Sequence, residues 1–573
     1  MTDLVADVAD LAADLTLPRL QARNAEKFGD LPALTFGEQT LTWRELREGI
    51  AAAARGFQLL GLVPGERLMI VMSSRPEHWL ADSGAVHLRA IPCTAYQTLS
   101  TEQIGYVARH SAATIAVLEG ADEVRRWVPV LDELPNLRRI VVVDASAIPA
   151  GDDRFIAWDE FLEAGRAAHE ANPSVFESLW PDIQPDEPVA MMYTSGTTGD
   201  PKGVVLSHRN AFYEAVVIDH MVPTPDHAPA IAYLPLAHIA ERELSFYRAA
   251  YKATHVIVCP DPAGVIGALV ASRPTSFFGV PRVWEKLAAG LQAKIATLPD
   301  AQRDVIMAAH ANGGDEAIMK PLRATLGLDL MEWASSGSAP IPVEVLDYLA
   351  GFGIRVLEVW GMSETTGCAT ISTPDAYRVG AVGKAVPGVD LRIAEDGEIF
   401  VRGPIVFLGY LQADGSVESV LDPDGWLATG DVGVIDEDGF LTITDRKKEL
   451  IITSQGKNIA PTKIEGLLRA HPLVSQAIAI GDRRPYVTAL LALDEEATGR
   501  PAAELAADPD VVAQLDALVA SVNGRLARAE QVKSYVALPT AWSPDSGELT
   551  PTLKLRRKVV IDKYSTEIEG LYA

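Results

Sequence analysis

The chain of 573 residues is poor in cysteine and has no long apolar run. Its three cysteines, Cys93, Cys259 and Cys368, are widely separated, which excludes a disulfide framework and paired metal-binding spacing. Such cysteine usage predicts a reducing, cytoplasmic location. No stretch of about 18 apolar residues is available to cross a bilayer. The segment from Met1 to Leu17 is acidic and lacks the basic start of a secretory signal.

Basic residues are also few compared with acidic ones. The sequence has 50 lysines and arginines against 77 aspartates and glutamates, a formal net charge of −27. This balance argues against non-specific nucleic-acid binding and gives no help to contact with an anionic membrane surface. The apolar content of 48% is typical of a well-packed globular protein. The length exceeds that of a single core, so we expect two or more domains.

Short apolar strands alternate with helical stretches in the first half of the chain, which predicts βαβ units and a parallel sheet. A helix is predicted over residues 41–60, with Thr42 and Glu45 forming a capping box at its start. No residue before position 185 suggests chemistry, and we assign this part to the scaffold.

A ten-residue stretch, residues 194–203 (TSGTTGDPKG), combines four hydroxyl side chains, three glycines and one lysine between two apolar runs. Glycines let backbone N–H groups approach a ligand, while hydroxyl and ammonium groups bind phosphate oxygens. By composition, a solvated hairpin turn and a polyphosphate cradle are about equally good interpretations. A Walker loop is excluded, because Pro201 stands where that motif needs its Gly-Lys pair.

The order of these ten residues resembles the signature phosphate loop of the adenylate-forming (AMP-binding) superfamily, which includes acyl-CoA synthetases, luciferases and peptide-synthetase adenylation domains. The resemblance implies that Lys202 has a catalytic role and that Thr194 is also a metal ligand. It implies ATP binding by Thr194, Ser195, Gly196, Thr197, Thr198, Gly199 and Lys202.

Residues 233–242 (YLPLAHIAER) place His238 after a proline that ends or bends a strand. A lone histidine among apolar residues is more often a satisfied core group than a catalyst. The segment resembles the family's substrate-pocket motif, which implies a catalytic His238 beside the activated carboxylate. Some members carry a tryptophan gate four residues later. Arg242 stands there instead, so the gate of the acyl tunnel is not assigned.

Residues 278–286 (FGVPRVWEK) are, by composition, a strand-to-helix corner with an exposed basic edge. They resemble the Val-Pro-Arg-x-aromatic-Glu-Lys segment of long-chain fatty acyl-CoA synthetases. This segment narrows the resemblance to that subfamily.

Residues 335–340 (SSGSAP) form a small-residue turn against which a flat ring can lie. A plain turn explains them equally well, and a serine hydrolase is disfavoured because no G-x-S-x-G elbow is present. The family's matching segment lines the adenine pocket, which implies that role for Ser338, Ala339 and Pro340.

Residues 360–367 (WGMSETTG) follow a strand predicted over 354–359, at the kind of loop end where α/β sheets bind ligands. Trp360 offers a stacking face for a purine, Ser363 a donor for the α-phosphate and Glu364 a hard oxygen ligand for Mg²⁺. A loop glutamate is usually only solvated. The resemblance to the family's Tyr/Trp-Gly-x-Ser/Thr-Glu motif implies a catalytic, metal-binding Glu364 and nucleotide contacts from Trp360, Gly361, Met362 and Ser363.

From residue 391 the pattern changes to alternating strands with Asp-Gly turns. Asp431 is either one more turn aspartate or, by the resemblance, the acceptor for both ribose hydroxyls. The charged stretch after residue 444 is typical of a solvated linker. By resemblance it contributes Arg446 to the ribose site and Lys448 as a hinge. Gly456 resembles the loop glycine that faces the CoA channel, and Lys554 resembles the catalytic lysine, which also contacts ATP.

The predicted fold is α/β. A large domain of parallel α/β sheets (residues 1–445) has a barrel-like part near 385–444, and a small mobile α+β domain (446–573) follows. The resemblance implies ATP-dependent activation of a fatty acid to acyl-AMP, with Mg²⁺, then transfer to CoA. A fatty-acyl-AMP ligase serving a carrier protein and a non-catalytic ATP or acyl-AMP sensor remain alternatives. Acyl chain length, homo-oligomerisation and peripheral membrane contact are left open.

Overall fold

A capping box sets the start of the first long helix. In the computed structural model, which describes residues 2–194, 200–455, 457–543, 546–550 and 554–573, the Glu45 N–H donates to Thr42 Oγ1 at 3.2 Å and the Thr42 N–H donates to Glu45 Oε2 at 2.8 Å. The helix runs Trp43–Leu59, so the predicted helix is confirmed with slightly shorter ends.

The strands alternate with helices as far as residue 194 and dominate between residues 384 and 446. In chain order they are β1 (Pro32–Phe36), β2 (Gln39–Thr42), β3 (Arg67–Val71), β4 (Ile91–Thr94), β5 (Ile115–Leu118), β6 (Arg139–Val142), β7 (Phe155–Ala157), β8 (Pro188–Thr194), β9 (Lys202–Ser207), β10 (Pro229–Ala232), β11 (His255–Val258), β12 (Ser276–Phe278), β13 (Trp333–Ser336), β14 (Val356–Met362), β15 (Gly367–Ile371), β16 (Lys384–Ala385), β17 (Asp390–Ile393), β18 (Glu398–Arg402), β19 (Gly409–Leu411), β20 (Val417–Glu418), β21 (Leu427–Ile435), β22 (Leu441–Arg446), β23 (Ile451–Ile452), β24 (Asn458–Ile459), β25 (Val474–Ile480), β26 (Val487–Leu493) and β27 (Val532–Leu538).

The α-helices are α1 (Thr2–Ala12), α2 (Leu17–Lys27), α3 (Trp43–Leu59), α4 (Pro76–His87), α5 (Thr101–Ser111), α6 (Ala121–Trp127), α7 (Trp158–Ala171), α8 (Pro173–Leu179), α9 (His208–Met221), α10 (Ile239–Glu241), α11 (Arg248–Lys252), α12 (Val265–Ser272), α13 (Pro281–Ala296), α14 (Asp300–Ala311), α15 (Glu316–Ala324), α16 (Val343–Ala350), α17 (Pro461–Arg469), α18 (Glu495–Thr498), α19 (Ala502–Ala507), α20 (Pro509–Gly524), α21 (Arg557–Lys563) and α22 (Ser565–Gly570). A π-helical segment, Arg242–Tyr247, joins α10 to α11. Within the described residues, no helix has both the length and the apolar character needed to cross a membrane.

The largest sheet has nine strands in the order β20-β19-β9-β8-β4-β3-β5-β6-β7. Its centre is parallel, but β8 and β9 pair antiparallel because the loop between them is far shorter than a parallel crossover requires. A second sheet, β12-β13-β14-β15-β16, is also parallel only in its first three strands. Both sheets thus contain the predicted parallel strands, and each also carries antiparallel strands at one edge.

The region predicted to be barrel-like contains a four-stranded antiparallel sheet, β17-β18-β21-β22. Strand β19 lies within this stretch of sequence but does not belong to the four-stranded sheet. It pairs with β9 of the nine-stranded sheet. After Arg446, a three-stranded sheet, β25-β26-β27, packs with α17 and α20 around a separate hydrophobic core. The chain thus has a large α/β part followed by a smaller α+β part.

Candidate active site

The glycine-rich loop begins and ends on paired strands. Thr194 at the end of β8 is half-buried and pairs with the exposed Lys202 at the start of β9. Ser195, Gly196, Thr197, Thr198 and Gly199 lie outside the residues that the structure describes. The Lys202 Nζ atom lies 4.6 Å from the ring centroid of Tyr410, a cation–π contact that holds the lysine beside this aromatic ring.

Tyr410 also contacts the predicted metal ligand. Its hydroxyl group donates to Glu364 Oε1 at 2.7 Å, and the Glu364 side chain is buried, at 6% exposed. Burial, followed by the nearby Glu364 carboxylate, raises the pKa of Tyr410 well above its usual value, so the phenol remains a donor. The sequence analysis gave Tyr410 no role. Its place beside both Lys202 and Glu364 was the part that was missed.

Within residues 360–367, the chain turns back sharply between the end of β14 and the start of β15. A Cβ atom added at Gly361 would lie 1.6 Å from the Gly367 carbonyl oxygen, so a side chain at position 361 would displace the backbone. Gly361 is exposed, Met362 and Ser363 are half-buried, and Ser363–Thr365 forms a 3₁₀ turn. The turn carries Glu364 inward while leaving positions 361–363 accessible to a ligand.

Trp360, Asp431 and Arg446 form a chain of contacts on the other side of this turn. The indole Nε1–H of Trp360 donates to Asp431 Oδ2 at 2.8 Å, and Arg446 Nε lies 3.3 Å from Asp431 Oδ1. Trp360 and Asp431 are both buried. The indole therefore orients the carboxylate, a contact that the stacking prediction for Trp360 did not include.

His238 faces the small-residue turn 335–340. Its Nε2 atom lies 3.3 Å from Ser338 Oγ, and its Nδ1 atom accepts the Ala240 N–H at 3.2 Å. Burial, then the charge of Lys554, lowers the pKa of His238 to about 3. Because Nδ1 accepts a hydrogen bond, we assign the ring proton to Nε2, so His238 is a neutral donor rather than a base.

Ser338 adopts a left-handed backbone conformation, with φ of +70°, at the centre of this turn. Ser338 is half-buried, while Ala339 and Pro340 are exposed. These three positions therefore present backbone and short side chains to solvent beside His238.

Lys554 is contributed by the small C-terminal part of the chain. Its N–H donates to Thr550 Oγ1 at 3.0 Å, and its carbonyl accepts the Thr550 N–H at 2.8 Å, so two hydrogen bonds join Lys554 to Thr550. Burial of the amine, then the Arg446 charge, lowers the pKa of Lys554 to about 8. The Asp431 and Glu364 carboxylates act in the opposite direction. Lys554 thus lies among the predicted groups of the large part.

The loop that carries His238 is held in place by two buried ionisable side chains, Arg242 and Glu241. Arg242 donates through Nε to the Leu236 carbonyl at 3.2 Å, and Glu241 Oε2 accepts the Leu234 N–H at 2.7 Å. The Arg242 guanidinium also pairs with Asp82 Oδ2 at 2.7 Å. It donates to Thr94 Oγ1 at 2.6 Å as well. The scaffold before residue 185 therefore contributes the partners that fix this loop.

The remaining predicted residues lie at the edge of the site. Lys448 is exposed in the turn after β22, and Gly456 lies outside the described residues. Among the described residues, no three His, Cys, Asp or Glu side chains are grouped as a metal site. The arrangement at Glu364 is nevertheless compatible with Mg²⁺, which commonly takes one or two carboxylates together with substrate phosphates and water.

Comparison with known proteins gives matches along most of the chain. The family model described as AMP-binding enzyme matches residues 21–411, and that of the AMP-binding enzyme C-terminal domain matches residues 448–573. The long-chain-fatty-acid–CoA ligase FadD15 of Mycobacterium tuberculosis is 34% identical over 565 residues, covering 93% of this chain and 92% of that protein. The long-chain-fatty-acid–CoA ligase ACSBG2 of Xenopus laevis is 32% identical, with coverages of 99% and 85%.

A solved structure supports the fold. The A-PCP didomain of carboxylic acid reductase from Segniliparus rugosus, in complex with AMP, superimposes with a TM-score of 0.78 at 21% identity. The match covers 99% of this chain and 84% of that chain.

Proposed function

Because the chain belongs to the AMP-binding enzyme family, we propose that it is an AMP-forming long-chain fatty acyl-CoA synthetase. It activates a fatty acid with ATP to give acyl-AMP and pyrophosphate, then transfers the acyl group to CoA and releases AMP. The observation that carries the proposal is the position of Lys554, whose pKa is influenced by Asp431 and Glu364 of the large part and by Arg446 at the boundary between the two parts. We take residues 1–445 as the adenylation domain and 446–573 as the mobile domain.

The first half-reaction needs charge stabilisation rather than a base. A fatty acid is already ionised near pH 7, so its carboxylate oxygen attacks the α-phosphorus directly and the bond to pyrophosphate breaks. Negative charge accumulates on the phosphoryl oxygens in the transition state. Lys554 is protonated below about pH 8 and is the cation that offsets this charge.

Other residues position the two substrates. The Nε2–H of His238 donates to the fatty-acid carboxylate, and Asp431, oriented by Trp360, accepts the ribose hydroxyls. Ser338, Ala339 and Pro340 line the adenine site, and positions 360–363 contact the nucleotide. Thr194 and Lys202, with the loop between them, bind the phosphates. Glu364 and Thr194 would hold Mg²⁺, which supplies further neutralisation of the phosphate charge when bound.

The second half-reaction needs Lys554 to leave. CoA must reach the acyl carbonyl carbon, where its thiolate sulfur forms the thioester bond as the bond to AMP breaks. Rotation about Lys448 withdraws Lys554 and brings the loop containing Gly456 to the CoA channel. A cytoplasmic location is part of the proposal and is supported by three free cysteines, one of them, Cys93, buried.

Pyrophosphate release with Mg-ATP, across carboxylates from acetate to palmitate and with and without CoA, tests the proposal. We expect turnover that rises with chain length and requires CoA. A single burst that CoA does not affect would instead identify a fatty-acyl-AMP ligase with another acceptor. ATP binding without pyrophosphate release from any acid would identify a sensor and refute the synthetase.

A further inference from the structure

Helix α13 contacts two regions that the reaction must coordinate. It begins with the Val-Pro-Arg-x-Trp-Glu-Lys segment, whose role the proposed chemistry leaves unexplained. On one side, the Nε1–H of the fully buried Trp284 donates to the Ser335 carbonyl at 3.0 Å, and the Gly279 N–H donates to the same oxygen at 2.9 Å. Ser335 is the first residue of the segment proposed to line the adenine site, so this helix start is fixed to the nucleotide pocket.

The opposite side of the same helix start contacts the small domain. Arg282 forms an ion pair with Asp494, and Lys286 Nζ lies 2.8 Å from Glu496 Oε1. Residues 282 and 286 are four apart and therefore share one helix face. Asp494 and Glu496, at the start of α18, lie opposite these two residues and supply one carboxylate to each.

The Asp494 carboxylate is held ready for this contact. Its Oδ1 atom accepts the Ala497 N–H at 2.9 Å and caps α18, while Oδ2 is the atom that Arg282 contacts. The side chain of Asp494 is buried, at 4% exposed. A further ion pair, Arg525 with Glu344 at 2.7 Å, joins the same two domains between the end of α20 and the start of α16.

These contacts coexist with Lys554 in the candidate site. An ion pair between two domains can persist only while the domains keep the orientation that brings its members together. The pairs Arg282–Asp494 and Lys286–Glu496, which we call the latch, therefore belong to the orientation in which Thr550 and Arg556, on either side of Lys554, line one cavity with Tyr193 and Pro201 beside the glycine-rich loop.

We propose that the latch stabilises the adenylation orientation of the small domain and must open before the acyl group passes to CoA, an inference that rests on the proposed function. Arg282 and Lys286 are positioning residues, because they act through Lys554 and do not touch the reacting atoms. Since Trp284 fixes the same helix to Ser335, the nucleotide pocket and the latch share one rigid element.

Charge exchange at the outer pair tests the latch. Lys286→Glu places two carboxylates opposite each other, and Glu496→Lys places two ammonium groups there. We expect each single variant to slow adenylation about two- to fivefold, as for exposed ion pairs. The double variant, with the charges exchanged, should return to within about twofold of the wild-type rate. Thioester formation from supplied acyl-AMP should be undiminished in all three.

Arg303→Glu is the matched control. Arg303 pairs with Asp300 inside α14, so the variant makes the same change of charge without crossing the domain interface. It should leave both half-reactions at the wild-type rate. Asp494→Asn, which keeps the helix cap but removes the charge, should slow adenylation by about tenfold, because Arg282 then loses its partner in the small domain and keeps only Glu285 of its own helix.

A second measurement separates the latch from the proposed chemistry. The rate at which an acylating reagent labels the Lys554 amine, followed by mass spectrometry without substrates, reports how often Lys554 leaves the site. Lys286→Glu should label faster, and the charge-exchanged double variant should label at the wild-type rate. Unchanged labelling and adenylation in both single variants would overturn the latch. Faster labelling in a protein that never releases pyrophosphate would support the latch and reject the synthetase.

Discussion

Two sets of ion pairs in this molecule differ in the depth at which they are placed. Arg242 and Asp82 are both 0% exposed and lie within the large domain. Lys286 and Glu496, which join the two domains, are 36% and 73% exposed. The first pair supports the loop that carries His238, and the second lies across an interface that the proposed reaction must open.

The difference follows from what it costs to separate each pair. Separating buried ions leaves charges without solvent, whereas exposed ions are solvated as soon as they part. A deep pair is therefore suited to a part of the site that stays fixed, and an exposed pair to a part that moves. In the proposed reaction, His238 belongs to the fixed region and Lys554 to the moving one.

The largest expected effect comes from breaking the fixed region. Arg242→Met leaves Asp82 buried without a cation, and we expect the free energy of unfolding to fall by about 3–5 kcal/mol. Adding Asp82→Leu removes the unpaired charge and should recover most of this loss. Urea unfolding of both variants measures it. Equal stabilities of the single and double variants would show that the pair is not what supports this region.

Removing the moving cation should affect one half-reaction only. We expect Lys554→Ala to slow pyrophosphate release by about 10²–10³-fold, because the transition-state charge loses its partner. Thioester formation from supplied acyl-AMP should stay near the wild-type rate. Rapid-quench measurement of each half-reaction provides the data, and a parallel loss in both with folding preserved would remove the assigned role.

Restricting the hinge should have the opposite effect. Proline at position 448 fixes φ near −65°, so Lys448→Pro should slow thioester formation by about tenfold or more while adenylation continues. The same two assays measure it, with Lys447→Ala as a neighbouring control that leaves φ free. Thioester formation at the wild-type rate would exclude Lys448 as the hinge.

The pH dependence distinguishes the neutral group from the charged one. Lys554, with a pKa of about 8, loses its charge as the pH rises, so kcat/KM for ATP should fall above about pH 8, by about tenfold per unit. His238, with a pKa of about 3, stays neutral and adds no change between pH 5 and 8. Lys554→Arg should be slower than the wild type, but its kcat/KM for ATP should fall less above about pH 8, because arginine keeps its charge there. An alkaline fall that survives in Lys554→Arg would assign it to another group.

The smallest expected effect concerns Trp360. Trp360→Phe keeps an aromatic face but removes the N–H that orients Asp431, and we expect KM for ATP to rise about three- to tenfold. The loss should shrink with 2′-deoxy-ATP, which lacks one hydroxyl for Asp431 to accept. Trp360→Leu serves as the comparison that also removes the aromatic face. An unchanged KM in Trp360→Phe would favour stacking as the main role of the indole.

Local signals allowed much of the fold to be predicted. The capping box of α3, the turn at Asp396-Gly397 between β17 and β18, and the strand predicted over 354–359 depend on residues close together in sequence. The structure extends that strand to Met362, so Trp360 lies within it rather than after it. The antiparallel pairing of β8 with β9 was harder to predict, because an apolar run indicates a strand but not the direction of the strand beside it. Strand β19 could not have been placed beside β9 from periodicity.

The candidate site divides in the same way. The resemblance made Lys554, Glu364 and Asp431 candidate site residues, because each stands in a recognisable short motif. Arg242 was identified only as the residue in place of a tryptophan. Its partners Asp82 and Thr94 lie about 150 positions away, at 160 and 148 residues, and carry no motif of their own. Contacts between ordinary side chains distant in sequence require the structure.

The pairing of β19 with β9 has a consequence for how the protein is made. Residues Gly409 and Tyr410 pair with Val205 and Val204, and Tyr410 is the residue that contacts Lys202 and Glu364. Pairing between strands so distant in sequence forms late in folding, because closing the long intervening loop costs entropy before the new contacts stabilise it. Translation must therefore pass residue 410 before the glycine-rich loop acquires its aromatic neighbour, so a nascent chain cannot assemble this part of the site early.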